Sequence, residues 1–221
     1  MRVEVFSDIA CPWCYIGKTR FERALAEYEH AAEVEVVWRS FQLDPDAPAE
    51  SPGLTVDHLA AKYGVSRERA LAMMDTATRA AASDGLEFRL DRAVAANTFD
   101  AHRVAHLAVA RGLGPRVMER LMRAYQSDGE NVADPDTLVR LAAEAGLPED
   151  DVRAVLASDA YADAVHADQR LARAYGVTGV PFFVFDAAHA VSGAQPTELF
   201  LAALRQLGPQ GSGTKAAVAP G

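Results

Sequence analysis

The chain has 221 residues, half of them apolar and 24% charged, so it can bury a substantial core as one large domain or two small ones. Its net charge of −9 at pH 7 argues against nucleic acid and anionic membrane surfaces as main partners. No apolar stretch approaches the roughly 20 residues of a membrane helix, and the segment after Met1 lacks the features of a secretory signal. We therefore expect a cytoplasmic protein with no membrane partner.

The first fifty or so residues predict a β-α-β unit. Residues 2–7 form an apolar run typical of a buried strand, 12–28 a helix, and 33–39 a second strand in which apolar and polar residues alternate. The next segment, 40–53, is rich in proline and is predicted to be an irregular connector. A β-α-β unit of this kind requires a parallel sheet.

Helix signals fill the middle of the chain, from 55 to 176, with no convincing strand pattern among them. Each of the first predicted helices begins at a capping residue or at a proline in the first turn: Thr55, Ser66, Asn97 or Thr98, Pro115, and Asp134 with Pro135. Glycines are expected to end the first two, at Gly64 and near Gly85. Two more helices are predicted at 148–156 and 160–175.

Strand character returns only near the C-terminus. We predict strands at 181–185 and 190–192, a final amphipathic helix at 196–207 and a disordered tail at 208–221. A helical block of roughly 120 residues therefore interrupts an α/β domain. The predicted boundaries are 1–54 with 177–207 for the α/β domain and 55–176 for the inserted helical domain.

Cys11 and Cys14 are the only cysteines of the chain and enclose Pro12-Trp13 at the predicted strand-to-helix junction. At the start of a helix, unpaired backbone N–H groups and the positive helix end favour a thiolate at Cys11. Cys14 follows one turn later, close enough to form a disulfide with it. In a reducing compartment such a pair is more often catalytic than structural, which indicates a redox pair.

Three other roles are open to these cysteines. A structural disulfide of this span would close a small loop and constrain little unfolded-chain entropy. A zinc site would need two further ligands, which His102 and His106 can supply at helical i, i+4 spacing. Inert buried thiols are the third role. Redox chemistry is favoured because Pro12-Trp13 stiffens the pair and no compact ligand set lies nearby in the sequence.

Further motifs accompany the cysteines along nearly the whole chain except the tail. They are Phe6-Ser7-Asp8 with Cys11-Pro12-Trp13-Cys14-Tyr15-Ile16-Gly17, Phe41-Gln42-Leu43-Asp44-Pro45, Asn97-Thr98 with Ala101-His102-Arg103, Gly179-Val180-Pro181-Phe182-Phe183-Val184, and Ser192-Gly193-Ala194-Gln195. In this combination the chain resembles a DsbA-type thioredoxin-fold protein, most closely of the FrnE-like branch. The resemblance implies an α/β thioredoxin-like fold, with a large helical domain inserted between its β-α-β and β-β-α halves.

The resemblance also implies roles for individual residues. Cys11 would be the exposed attacking thiolate, and Cys14 the more buried resolving thiol. Pro181 would follow a cis bond after Val180 and lie beside the disulfide, where the Val180 backbone can pair with an extended substrate. From the residues alone, an ordinary trans proline at the start of an edge strand stays open.

Two more side chains are candidates for contact with a substrate. Trp13 is interpreted as a cover for the disulfide or a substrate contact, and His102 faces either the active-site groove or the helical core. The predicted substrate-binding set is therefore Trp13, Val180, Pro181 and His102, and no residue is assigned to a cofactor or metal.

The sequence departs from the family pattern at two positions. Trp13 stands where DsbA has a histidine that stabilises the thiolate, so strong oxidising power does not carry over. Val5 stands where many thioredoxins place a buried acid, which leaves the proton acceptor for Cys14 unassigned. Glu4 and Asp8 are the nearby candidates.

The leading prediction is a thiol–disulfide oxidoreductase that acts on disulfides or dithiols of proteins or small molecules. It requires no cofactor, although glutathione can serve as a redox partner, and the chain is expected to be a monomer or homodimer.

Two alternatives remain, and the resemblance also suggests a role in secondary-metabolite biosynthesis. One is a glutathione-dependent isomerase or transferase of the 2-hydroxychromene-2-carboxylate isomerase or kappa type. Those enzymes carry serine in place of Cys11 and an Asp-Arg pair where this chain has Gly193-Ala194-Gln195. The other is a redox-linked chaperone whose binding of unfolded chains survives loss of both thiols.

Overall fold

A computed structural model of the chain describes residues 1–47 and 53–208. Within them, four strands form one mixed sheet in the order β2-β1-β3-β4: β1 (Arg2–Ser7), β2 (Glu35–Ser40), β3 (Phe182–Phe185) and β4 (His189–Ser192). β1 and β2 are parallel, as the β-α-β pattern predicts, whereas β3 runs antiparallel to both β1 and β4. The sheet therefore joins the two ends of the chain.

The described residues contain nine α-helices. They are α1 (Pro12–Glu27), α2 (Thr55–Tyr63), α3 (Arg67–Ser83), α4 (Phe99–Ala110), α5 (Gly114–Arg123), α6 (Pro135–Glu144), α7 (Glu149–Leu156), α8 (Ala162–Ala174) and α9 (Thr197–Leu207). A π-helical turn, Ala124–Asp128, follows α5 directly, and sequence periodicity does not predict it. None of the helices described is long and apolar enough to cross a membrane.

Both faces of the sheet are covered because side chains alternate along β1 and β3. Val3 and Val5 lie in one apolar cluster with residues of α1 and α9, including Phe21 and Phe200. Phe6 lies in a second cluster with Ala172 of α8. This three-layer arrangement of a mixed sheet between helices is a thioredoxin fold, as predicted.

Two of the predicted N-caps, Ser66 and Asp134, are confirmed. The Ser66 hydroxyl accepts a hydrogen bond from the Arg69 N–H at 3.3 Å, and the Asp134 carboxylate accepts one from the Thr137 N–H at 2.7 Å. The prediction that Thr55 caps α2 is wrong. Thr55 is the first helical residue, and its hydroxyl instead lies 2.9 Å from the Tyr125 hydroxyl, in the interior.

Helices α2–α8 all lie between β2 and β3 in the chain, as the predicted insertion requires. Whether they form a separate domain over 55–176 stays a prediction. The largest apolar cluster spans helices α2–α7 and includes both Cys11 and Cys14, so the cysteines pack into the helical layer. Residues 209–221 of the predicted tail and 48–52 of the predicted connector lie outside the described residues.

Candidate active site

Helix α1 places the first cysteine at its N-terminal end. Cys11 is the N-cap, with extended backbone (φ −87°, ψ 114°), and Pro12 takes the first helical position, where its missing N–H is not needed. The Cys11 N–H donates to the Asp8 carbonyl at 3.2 Å, which fixes the turn between β1 and α1. The Cys11 sulfur therefore sits where the helix dipole stabilises negative charge.

Both thiols are unbridged and buried, so the expectation of an exposed Cys11 is wrong. Cys11 is 3% exposed and Cys14 1%, because the inserted helices cover the start of α1. Burial, followed by the neighbouring Cys11, raises the pKa of the Cys14 thiol well above its ordinary value. The Asp8 backbone N–H approaches the Cys14 sulfur at 3.4 Å.

The segment before β3 lies against the first cysteine. The Val180–Pro181 bond is cis, as the family resemblance implied, and the Cys11 thiol lies 3.5 Å from the Val180 carbonyl oxygen. Pro181 also packs on α1: an ideal Cβ placed on Gly17 would lie 2.7 Å from the Pro181 Cγ. Glycine at position 17 is what lets the two elements approach so closely.

A cavity of about 180 Å³ opens beside Cys11, and the described residues that line it do not include Cys14. It lies between the start of α1, helices α2 and α3, and the π-helical turn. The lining is mostly apolar: Ala10, Cys11, Pro12, Trp13, Leu43, Thr55, Leu59, Tyr63, Met73, Met74, Ala77, Leu90, Tyr125 and Gln126. Helices of the insertion thus wall the space beside Cys11, and a group attached to the Cys11 sulfur has room there.

Large apolar side chains remain exposed around this cavity, which we call the apolar rim: Trp13, Leu43, Tyr63 and Met73. Each is at least 38% exposed. Trp13 is therefore outside the core, consistent with its interpretation as a cover or a substrate contact. A cluster of exposed apolar groups beside a reactive centre is typical of a binding surface.

A second, more polar cavity of about 80 Å³ adjoins the first and shares Thr55 and Tyr125 with it. Burial raises the pKa of the Tyr125 hydroxyl to about 12. Sequence reasoning missed Tyr125 because it lies in the π-helical turn, where the periodicity of α5 breaks. A π-helical turn is often found at a functional site, and here it brings Tyr125 and Gln126 to the cavity wall.

Asp8 also lines the polar cavity and is 1% exposed. Its carboxylate accepts a hydrogen bond from the Leu43 N–H at 2.8 Å and lies 3.2 Å from His102 Nε2. His102 is itself only 1% exposed and lies behind Asp8 rather than in the wall of either cavity. Of the two positions open to His102, the structure therefore shows the buried one, and a substrate contact through it stays a prediction. Its pairing with Asp8 was not predicted.

The other candidates near the cysteines have different partners. His106 Nε2 lies 3.1 Å from the Ser40 hydroxyl and 3.2 Å from the Asp168 carboxylate, so it does not join His102 around the thiols. The Glu4 carboxylate accepts hydrogen bonds from Arg39 and Tyr175. In the part of the chain described, no group of three or more histidine, cysteine or acidic side chains could hold a metal ion.

The model of the DSBA-like thioredoxin domain family matches residues 2–205, nearly the whole described chain. The chain belongs to this family. As a DSBA-like thioredoxin domain it is a member of a thiol oxidoreductase family, and the position of Cys11 and Cys14 at the start of α1 fits that chemistry.

Two proteins are similar to this chain in sequence, and a third shares its fold. A probable DsbA oxidoreductase from Streptomyces coelicolor is 48% identical, with a TM-score of 0.90, over 98% of this chain and 94% of that one. An uncharacterized protein, YwbO, of Bacillus subtilis is 29% identical over 83% of this chain and 86% of its own length. The cytosolic disulfide reductase DsbM of Pseudomonas aeruginosa shares the fold at 19% identity and a TM-score of 0.65, over 93% and 98% of the two chains.

Proposed function

We propose that this protein is a thiol–disulfide oxidoreductase in which Cys11 is the nucleophile and Cys14 the resolving thiol. One observation carries the proposal: the Cys11 sulfur lies at the start of α1, on the wall of the 180 Å³ cavity, while Cys14 lies beneath it and outside that wall. A substrate sulfur in the cavity therefore reaches Cys11 first.

The reaction runs in two exchanges. The Cys11 thiolate attacks a substrate disulfide; a bond forms between Cys11 and one substrate sulfur, and the other substrate sulfur leaves as a thiolate. The Cys14 thiol then loses its proton and attacks the Cys11 sulfur, which releases the second substrate thiolate. Two electrons pass from the cysteine pair to the substrate, and the reverse sequence oxidises a dithiol.

The substrate class follows from the surface around Cys11. The apolar rim and the largely apolar cavity suit a disulfide flanked by an apolar or aromatic group, in a protein or a small molecule. The Val180 carbonyl beside Cys11 is a backbone acceptor that an extended substrate can use. Glutathione, or another small thiol, then resets the pair in the cytoplasm.

The contacts of the segment after β4 give less support to the isomerase or transferase alternative. The Ala194 carbonyl accepts a hydrogen bond from Arg20 at 2.7 Å, and the Gln195 amide turns back to the Ser192 carbonyl at 2.8 Å. These backbone-directed contacts replace the Asp-Arg pair of the glutathione-binding relatives. We therefore retain disulfide exchange as the proposed activity.

Trapping of the mixed disulfide distinguishes the proposed roles of the two cysteines. The Cys14→Ser protein should accumulate a mixed disulfide with a disulfide-bonded peptide, detectable by mass spectrometry, because nothing resolves it. The Cys11→Ser protein, its matched control, should form no such adduct and reduce no insulin. Full insulin reduction by Cys11→Ser would contradict the proposal, whereas unfolded-chain binding retained by a double serine variant would favour the chaperone alternative.

A further inference from the structure

The wall of the cavity beside Cys11 holds a pair of hydroxyl groups in contact with each other. The Thr55 hydroxyl lies 2.9 Å from the Tyr125 hydroxyl, and both residues line this cavity as well as the polar cavity that adjoins it. Thr55 does not cap α2, and Tyr125, which is 3% exposed, lies in the π-helical turn after α5. The pair is therefore a candidate for a role in the cavity itself.

The pair has a proton to donate. Two hydroxyl groups carry two protons, and the contact between them uses only one, whichever oxygen is the donor. Burial raises the pKa of the Tyr125 hydroxyl to about 12, against the hydrogen bond from Thr55, which lowers it. Both protons are therefore kept near neutral pH, and one of them is free for a hydrogen bond to a group in the cavities.

The cavity beside Cys11 offers few other groups that stabilise a negative charge. Among the described residues that line it, none is a lysine, an arginine or a histidine. Trp13 and Tyr63 belong to the exposed apolar rim, where water competes for their polar groups, and the Gln126 amide nitrogen donates to the Ile9 carbonyl at 3.1 Å. A thiolate formed in this apolar space therefore needs a donor such as the hydroxyl pair.

The π-helical turn holds Tyr125 in a fixed position relative to Cys11. The next residue, Gln126, accepts a hydrogen bond from the Arg89 N–H at 2.7 Å through its carbonyl, and its side chain binds the Ile9 carbonyl two residues before Cys11. A negative charge on Cys11 also raises the pKa of the Tyr125 hydroxyl, so the field of a thiolate at that end of the cavity reaches it. A donor fixed in place before the reaction needs no reorganisation when charge develops.

We propose that the Thr55–Tyr125 hydroxyl pair stabilises the substrate thiolate that departs when Cys11 attacks a disulfide bound in the cavity. This role rests on the proposed function and adds a catalytic group to its first exchange. The Cys11 sulfur bonds to one substrate sulfur, the substrate S–S bond breaks, and its electron pair goes to the other sulfur as a thiolate. That thiolate accepts a hydrogen bond from the pair without taking its proton, and solvent protonates it after it leaves.

The charged groups of the polar cavity are less suited to this role. His58 and Lys62 both pair with Asp44, at 2.6 Å and 3.1 Å, and they line the polar cavity but not the one beside Cys11. The Asp8 carboxylate also lines the polar cavity, and its negative charge repels a thiolate. The departing sulfur is therefore better placed at the hydroxyl pair, which borders both cavities.

Two neutral disulfides whose leaving thiols differ in basicity test the proposal. In the Cys14→Ser protein only the first exchange takes place, and mass spectrometry follows its rate as the adduct on Cys11. Dithiodipyridine releases a weakly basic aromatic thiolate that needs little stabilisation, whereas bis(hydroxyethyl) disulfide releases a strongly basic alkyl thiolate. With Tyr125→Phe added, we expect attack on the alkyl disulfide to slow at least about tenfold and attack on the aromatic one to change less than about twofold.

Three further variants accompany Tyr125→Phe in the same Cys14→Ser background. Thr55→Val removes the other hydroxyl and should also slow the alkyl disulfide selectively, whereas Thr55→Ser keeps a hydroxyl and should react at the parent rate. Tyr175→Phe is the matched control, because the Tyr175 hydroxyl donates to the Glu4 carboxylate at 3.3 Å and is not among the described residues that line either cavity. Both of its rates should equal those of the parent.

The outcomes separate the hydroxyl pair from the proposed function. Equal slowing with both disulfides in Tyr125→Phe and Thr55→Val would show a merely structural role and overturn the inference. Unchanged rates in both variants, or the same selective slowing in Tyr175→Phe, would overturn it as well. A Cys14→Ser protein that forms no adduct on Cys11 with either disulfide would instead refute the proposed function.

Discussion

Gly17→Ala tests whether the close approach of α1 to the segment before β3 maintains the geometry around Cys11. The added Cβ would lie 2.7 Å from the Pro181 Cγ, and carbon atoms prefer to be about 3.5–4.0 Å apart. The two elements must therefore separate by roughly 1 Å, because the proline ring cannot rotate away. Overpacking of this kind lowers the free energy of unfolding by about 1–3 kcal/mol, and the better helix propensity of alanine raises it by about 1 kcal/mol.

The net loss in the free energy of unfolding should thus be about 0–2 kcal/mol, or a fall in Tm of up to about 8 °C for a chain of this size. Disulfide exchange should fall more than stability, because the displaced segment carries the Val180 carbonyl away from Cys11. Thermal unfolding by circular dichroism and insulin reduction measure the two effects. Gly179→Ala is the control, since a Cβ there meets nothing within 4 Å. Equal exchange rates for Gly17→Ala and the wild type, or equal damage from Gly179→Ala, would refute this reasoning.

Two further predictions concern charge. Burial tends to raise the pKa of Asp168, but hydrogen bonds from His106 and the Ser40 N–H and the charge of Arg39 outweigh it, so the folded pKa lies below the ordinary value. The ionised carboxylate therefore stabilises the folded protein above about pH 4, and this stabilisation is lost as the pH falls through the folded pKa. Asp168→Asn should lower the free energy of unfolding by about 2 kcal/mol at neutral pH. In an acid-unfolding titration the variant should then lose less additional stability than the wild type. For the wild type we expect a reduction potential of about −200 to −230 mV, and Trp13→His should raise it towards the value of about −120 mV for DsbA. Equilibration with glutathione measures both potentials. An unchanged potential in the variant would mean that another group sets it.

Local sequence signals predicted the elements well, and long-range contacts explain what they missed. β1 is confirmed to the residue, and β2 begins two residues later than predicted because Ala31–Glu33 forms a 3₁₀ turn. The burial of Cys11 could not be foreseen, since the apolar cluster around it is built from helices of the insertion, whose amphipathic patterns do not say which surface they cover.

The Asp8–His102 pair is a second feature of the site that local sequence signals do not predict. The two residues are 94 positions apart, and the sequence suggested a separate candidate role for each, Asp8 as proton acceptor for Cys14 and His102 as substrate contact. Nothing in the motif of either residue indicates that the two side chains form a hydrogen bond, because that contact depends on how α4 packs against the end of β1. A buried aspartate three residues before the first cysteine is the one local signal, and it leaves the partner open.

The position of β3 between β1 and β4 has a consequence for synthesis on the ribosome. β1 leaves the ribosome first and can pair with β2 soon afterwards, but its other edge stays open until the end of the chain emerges. The contact between Cys11 and Val180 spans 169 residues, which at about 5–20 residues per second is on the order of 10–30 s of translation. During that interval the nascent chain exposes an apolar strand edge and two thiols without their cover, a state open to strand pairing with other chains and to oxidation of the thiols.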